Sequence, residues 1–164
     1  MPLDLPFSQE PPFDAAKTHR WLAVEFNNIA WDLFDQDELT CEEIERMIHV
    51  AHASALHWSQ IGKPINDLRG ELLVAHAYAR AKLAEATQRH AKKCLELAKT
   101  CTDDVLPFDE ASMYGVAAWA ESLAGDKQQA AEYLEKANSA AAKMTDDEAM
   151  RLYEKYVKLY QGEN

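Results

Sequence analysis

Gly125-Asp126-Lys127-Gln128-Gln129-Ala130-Ala131-Glu132-Tyr133-Leu134-Glu135-Lys136-Ala137 is the stretch whose reading decides the fold. Gly125 reads as a helix stop. Asp126 with Gln129 three residues on reads as a helix start, because these side chains satisfy backbone amides that the first turn leaves unpaired. Behind the start, Ala130, Leu134 and Ala137 share one face at helical spacing. The same small-apolar-apolar spacing recurs at Ala91/Leu95/Ala98 and Ala51/Ala55/Trp58, 39 and 40 residues apart. Each triplet falls on the second helix of a pair, where a small residue admits a neighbouring helix closely and the third fills the groove toward the next pair. Units that cannot bury their apolar faces alone must stack, so the spacing predicts helical hairpins in series.

Working outward, the chain from Phe13 to Ile61 and from Glu71 to Leu106 contains neither glycine nor proline, which is helical territory. Asp14, Thr40-x-x-Glu43, Asn66 after Pro64, and Thr145-x-x-Glu148 mark further starts; Gly62 with Pro64, and the segment 102–107, mark stops. Seven helices are expected, near 14–35, 40–60, 65–84, 86–101, 108–124, 126–143 and 146–160. Four of the six prolines lie in the first twelve residues, so residues 1–13 read as an extended arm and 14–164 as one helical domain. Alanine numbers 27, against 17 for valine, isoleucine and threonine together; that balance favours helix over sheet.

The last pair resembles a tetratricopeptide repeat. Its departures are a period longer than the usual ~34 residues and Ala118 where that repeat prefers glycine. A second resemblance rests on Asn27-Asn28-x-x-Trp31, Ala51-His52-Ala53-Ser54-x-x-His57-Trp58, Gly62-x-Pro64-x-Asn66, Arg69-Gly70-Glu71 and the helix Ala91 to Leu97. Together these look like a group of bacterial cytoplasmic proteins built on tetratricopeptide-like helices, for which no activity is known. The resemblance implies an all-α, right-handed stack of three hairpins closed by a C-terminal helix, with the first helix of each pair lining a concave groove.

Composition narrows the function. The net charge of −11 removes the phosphate-neutralising surface on which nucleic-acid binding depends. Three cysteines without C-x-x-C spacing suit a reducing cytoplasm rather than a disulfide framework or zinc knuckle. No apolar run approaches the ~20 residues of a membrane span, and Met1 to Phe13 lacks the features of an export signal. There is no phosphate-binding glycine loop and no nucleophile elbow, so no cofactor is expected.

Three clusters could carry chemistry. Arg69, Leu73, His76 and Arg80 align on one face of the third helix, a basic stripe on an acidic protein. In a concave groove it would meet an acidic peptide or small anionic ligand, or else pair with acids such as Glu71 or Glu85. Around it the expected ligand-facing set is completed by His52, His57, Trp58 and Glu71. Glu45, His49 and His52 form a second stripe whose residue types suit a divalent metal, with a solvated polar face as the ordinary alternative. Tyr153, Tyr156 and Tyr160 form an aromatic stripe expected to face inward from a closing helix; exposed, it would pair two copies of the chain. The leading expectation is a non-catalytic interaction module for a protein or peptide. The alternative is a small metal-dependent or acid–base enzyme built on Glu45, His49, His52, His57 and Glu71.

Overall fold

The computed structural model describes residues 14–161; the expected proline-rich arm, 1–13, lies outside them. The described chain forms seven α-helices and no strands: α1 (Ala15–Phe34), α2 (Cys41–Ile61), α3 (Pro64–Arg80), α4 (Ala84–Ala98), α5 (Pro107–Ala124), α6 (Lys127–Ala141) and α7 (Asp147–Tyr160).

Helix ends follow their local chemistry. Asp14 accepts from the Lys17 amide, Thr40 and Glu43 form the reciprocal capping box, and Asp126 accepts from the Gln129 amide. Several ends differ from the sequence reading. The fourth helix runs Ala84–Ala98 rather than 86–101, and the third starts at Pro64 behind Lys63, with Asn66 one turn in and accepting from the Lys63 amide. Asp146, one residue beyond the expected Thr145, caps α7 by accepting from the Ala149 amide at 2.7 Å. The third helix stops at Arg80 rather than near 84, because Lys82 turns left-handed at φ 57°. The Lys82 and Leu83 amides then bond the Ala79 and Tyr78 carbonyls, a closure that normally uses glycine. Leu83, just past this turn, is consequently 49% exposed.

The helices pair as α1 with α2, α3 with α4 and α5 with α6, and successive pairs join through α2 on α3 and α4 on α5. The odd-numbered helices also touch in series, α1 to α3 to α5 to α7, and make up an inner layer. The recurring small residues act where helices crowd. A Cβ on Gly70 of α3 would stand 3.0 Å from the Ala55 Cα of α2; of the small residues that open the three triplets, Ala51 and Ala91 are buried and Ala130 is half-buried.

The seventh helix does not merely close the end of the stack. It packs mainly on α5, with little contact to α6, and reaches α3 and α1 through its aromatic side chains. Tyr153, Tyr156 and Tyr160 are all buried, so the stripe considered as a dimer surface is covered within the chain.

Candidate functional site

On the inner face, the Tyr160 ring meets Gly115 of α5, where any Cβ would fall 2.3 Å from the ring. The Tyr160 hydroxyl lies 2.9 Å from His76 Nε2, and His76 Nδ1 lies 2.8 Å from the Leu72 carbonyl oxygen. A carbonyl only accepts, so Nδ1 carries the proton and Nε2 accepts from Tyr160. Burial pushes the His76 pKa down to about 4. Nearer the end of α1, the Tyr156 ring stacks on Trp31 at 5.7 Å and its hydroxyl donates to Asp35 Oδ1 at 2.9 Å, while Lys155 Nζ lies 2.8 Å from the same oxygen. Tyr153 donates to Asn138 of α6. Each tyrosine hydroxyl thus has a partner, as a buried phenol requires.

This arrangement corrects the expected basic groove. His76 is 1% exposed and bonded to α7, so it faces no external ligand. Arg69 makes a two-pronged pair with Asp109 of α5, both contacts at 2.9 Å, and that hydrogen bonding raises its pKa further. Arg80 donates to the Gln36 and Asp37 carbonyls just beyond α1, and so fixes the segment that follows that helix rather than pairing with Glu85. The stripe does lie on the inner face, but its members hold the inner layer together.

The remaining candidates divide between two places. Asp67, Glu71 and Tyr78 lie roughly 180° around α3 from Arg69, His76 and Arg80, at 100° per residue. Here α2, α3 and α4 enclose an open cleft of about 550 Å³ with His52, Leu56, Asp67, Glu71, Lys93 and Leu97 among its walls. Glu71 accepts from His90 Nδ1 at 2.8 Å and from Lys93 Nζ at 2.6 Å. Burial pushes the Glu71 carboxyl upward, but these two hydrogen bonds and the adjoining charges outweigh it and hold the pKa below the usual range. His52 Nε2 hydrogen-bonds the Tyr78 hydroxyl at 2.9 Å; Tyr78 stacks on His90 at 5.2 Å, and His52 meets the same ring edge-on. Burial first, then the neighbouring His90, lower the His52 pKa. Burial raises that of Asp67.

His57 lies elsewhere. It turns toward α1, where its Nδ1 is 2.8 Å from His19 Nδ1 and its ring packs on Phe26, not toward the third helix. Trp58 is half-buried, and its carbonyl receives the Gly62 amide. The Glu45, His49 and His52 stripe is not drawn into a ligand set: His52 is bonded to Tyr78, and among the described residues no group of three or more His, Cys, Asp or Glu side chains could hold a metal ion.

Leu56, Asp67, Tyr78, His90, Lys93 and His19 lie outside the expected site. The His90 to Lys93 spacing is one turn of α4, and it acquires meaning only when Glu71 arrives from α3. No described helix is long and apolar enough to cross a membrane. Comparison of the chain with family models, curated proteins and solved structures finds no match.

Proposed function

We propose that the protein is a non-catalytic, cytoplasmic interaction module of tetratricopeptide-like architecture whose partner segment enters the cleft between α2, α3 and α4. The observation that carries this reading is the cleft itself. One wall is apolar, with Leu56 43% exposed, and the other is a polar network whose members hold one another in place. Preorganised walls of mixed polarity suit an extended peptide. The three-hairpin order and the small residues at recurring positions support the repeat assignment.

The partner's chemistry follows from charge. Among the described residues that line the cleft, Asp67 and Glu71 face one ammonium, that of Lys93, which Glu71 already engages. A partner side chain that is apolar and flanked by a lysine or arginine complements this surface; the acidic ligand expected of the basic stripe does not, because that stripe is engaged on the opposite side of α3. The enzyme alternative retains only Glu71 in a carboxylate–imidazole pair, and its partner there, His90, lies outside the set on which that alternative is built. Its neighbour Cys94 is fully buried, and burial pushes its thiol far up, which disfavours the nucleophilic thiolate.

The test is a panel of fluorescein-labelled hexapeptides carrying leucine or methionine beside lysine, titrated with the full chain. Binding should weaken at least tenfold in Leu56→Asp and in Asp67→Asn, and amide shifts on binding should centre on His52, Leu56 and Lys93. Equal binding by the variants, or shifts confined to the inner face, would overturn the reading.

A further inference from the structure

The histidine pair between α1 and α2 belongs neither to the inner face nor to the cleft. His19, in the first turns of α1, and His57, near the end of α2, point their Nδ1 atoms at one another across 2.8 Å, with ring centroids 4.9 Å apart and planes tilted by 51°. In the metal-free state one Nδ1–H donates to the other's lone pair. Phe26 packs against His57 at 5.9 Å and 30°, which limits where that ring can turn. Both rings are half-buried, so they are positioned by their surroundings yet reachable from solvent.

We propose that His19 and His57 form a two-histidine site for a divalent metal ion of tetragonal preference, copper(II) or nickel(II) in type, with water completing the coordination. The general affinity order selects the ion: imidazole nitrogen binds copper(II) more tightly than nickel(II) or zinc(II), and a nitrogen and water donor set suits the tetragonal ions. The 2.8 Å separation is that of the hydrogen bond the pair makes without metal, and an ion takes the place of that bond as the two lone pairs turn toward it. Binding needs both Nδ1 lone pairs, so the Nδ1–H proton leaves to solvent and the same ring takes one up at Nε2. The pair therefore gains the ion with no net proton release. Two protein ligands and an open coordination sphere make an exchangeable site rather than a structural one.

The experiment is a titration of the full chain with copper(II) at neutral pH, followed by the visible absorption band and by nitrogen splitting in the electron paramagnetic resonance spectrum, with nickel(II) and zinc(II) as comparators. One equivalent of copper should be lost, or its affinity reduced at least tenfold, in both His19→Gln and His57→Gln, and retained in His49→Gln, which removes an exposed histidine of the same helix as His57. Zinc should bind at least tenfold more weakly than copper. Copper stoichiometry and affinity unchanged in either pair variant would overturn the site, and zinc binding more tightly than copper would overturn the choice of ion. Should His57→Gln fail to fold, His19→Gln, in the first turns of α1, tests the site by itself.

Discussion

His76 shows how a single residue's role depends on what arrives from far along the chain. Its position on the stripe with Arg69 and Arg80 is correct for the inner face, yet its partner, Tyr160, lies 84 residues away, beyond the reach of any helical periodicity. The consequence is a pH dependence of known sign. The folded pKa of about 4 lies below the ordinary value of 6.5, so between these pH values the unfolded chain takes up a proton that the native core refuses. The stabilisation is fully present above pH 6.5 and is lost as pH falls toward 4, by on the order of 3 kcal/mol at most for this one group. Urea unfolding at pH 7 and pH 5 should show the share of that loss that falls between them, about 2 kcal/mol. His76→Gln, which can still donate to Leu72 and accept from Tyr160 without titrating, should lose a clear part of it; an unchanged pH slope in the variant would show that His76 is not the source.

At the scale of elements, the sequence discloses the helices and conceals their neighbours. Caps at Asp14, Thr40 and Asp126 and the glycine stop at Gly125 act within four residues of themselves, so they are legible in one dimension. Lys82 is the exception, because nothing local distinguishes a lysine that will turn left-handed from one that continues a helix. Pairings such as Arg69–Asp109 and His19–His57 join residues 40 and 38 positions apart; a surplus of acids and histidines leaves too many partners for pattern alone to choose among. The amphipathic stripe of α7 is legible as an inward face, but its seat across α5, α3 and α1 is not. That seat depends on Gly115. Replacing a helical glycine by alanine ordinarily favours the helix by ~1 kcal/mol. Here the new methyl would meet the Tyr160 ring at 2.3 Å, and the ring is anchored by His76, so Gly115→Ala should destabilise the protein by about 1–3 kcal/mol. Denaturant titration checks this, with Gly115→Ala/Tyr160→Leu expected to recover part of the loss. A stabilised single variant would mean that α7 does not sit against α5.

Across the whole molecule, α7 changes the kind of object the stack is. In an open solenoid each unit touches only its neighbours, and the ends can unravel separately. Here the Tyr156–Asp35 hydrogen bond spans 121 residues, and with the Trp31 stack and the Lys155 pair it ties the first hairpin to the last helix. One buried surface therefore runs from α1 to α7, and the inner face is already filled, which is why the proposed partner surface lies on the other side of α3. Cooperative unfolding of the two ends is the expected consequence. Native-state hydrogen exchange of the wild-type chain and of Tyr156→Ala measures this most directly. Amides near the end of α1 and throughout α7 should open with one common free energy in the wild type and separate in the variant, α7 opening first. If α7 already exchanges faster than α1 in the wild type, and Tyr156→Ala leaves both unchanged, then the last helix is an appendage and the inner face is open.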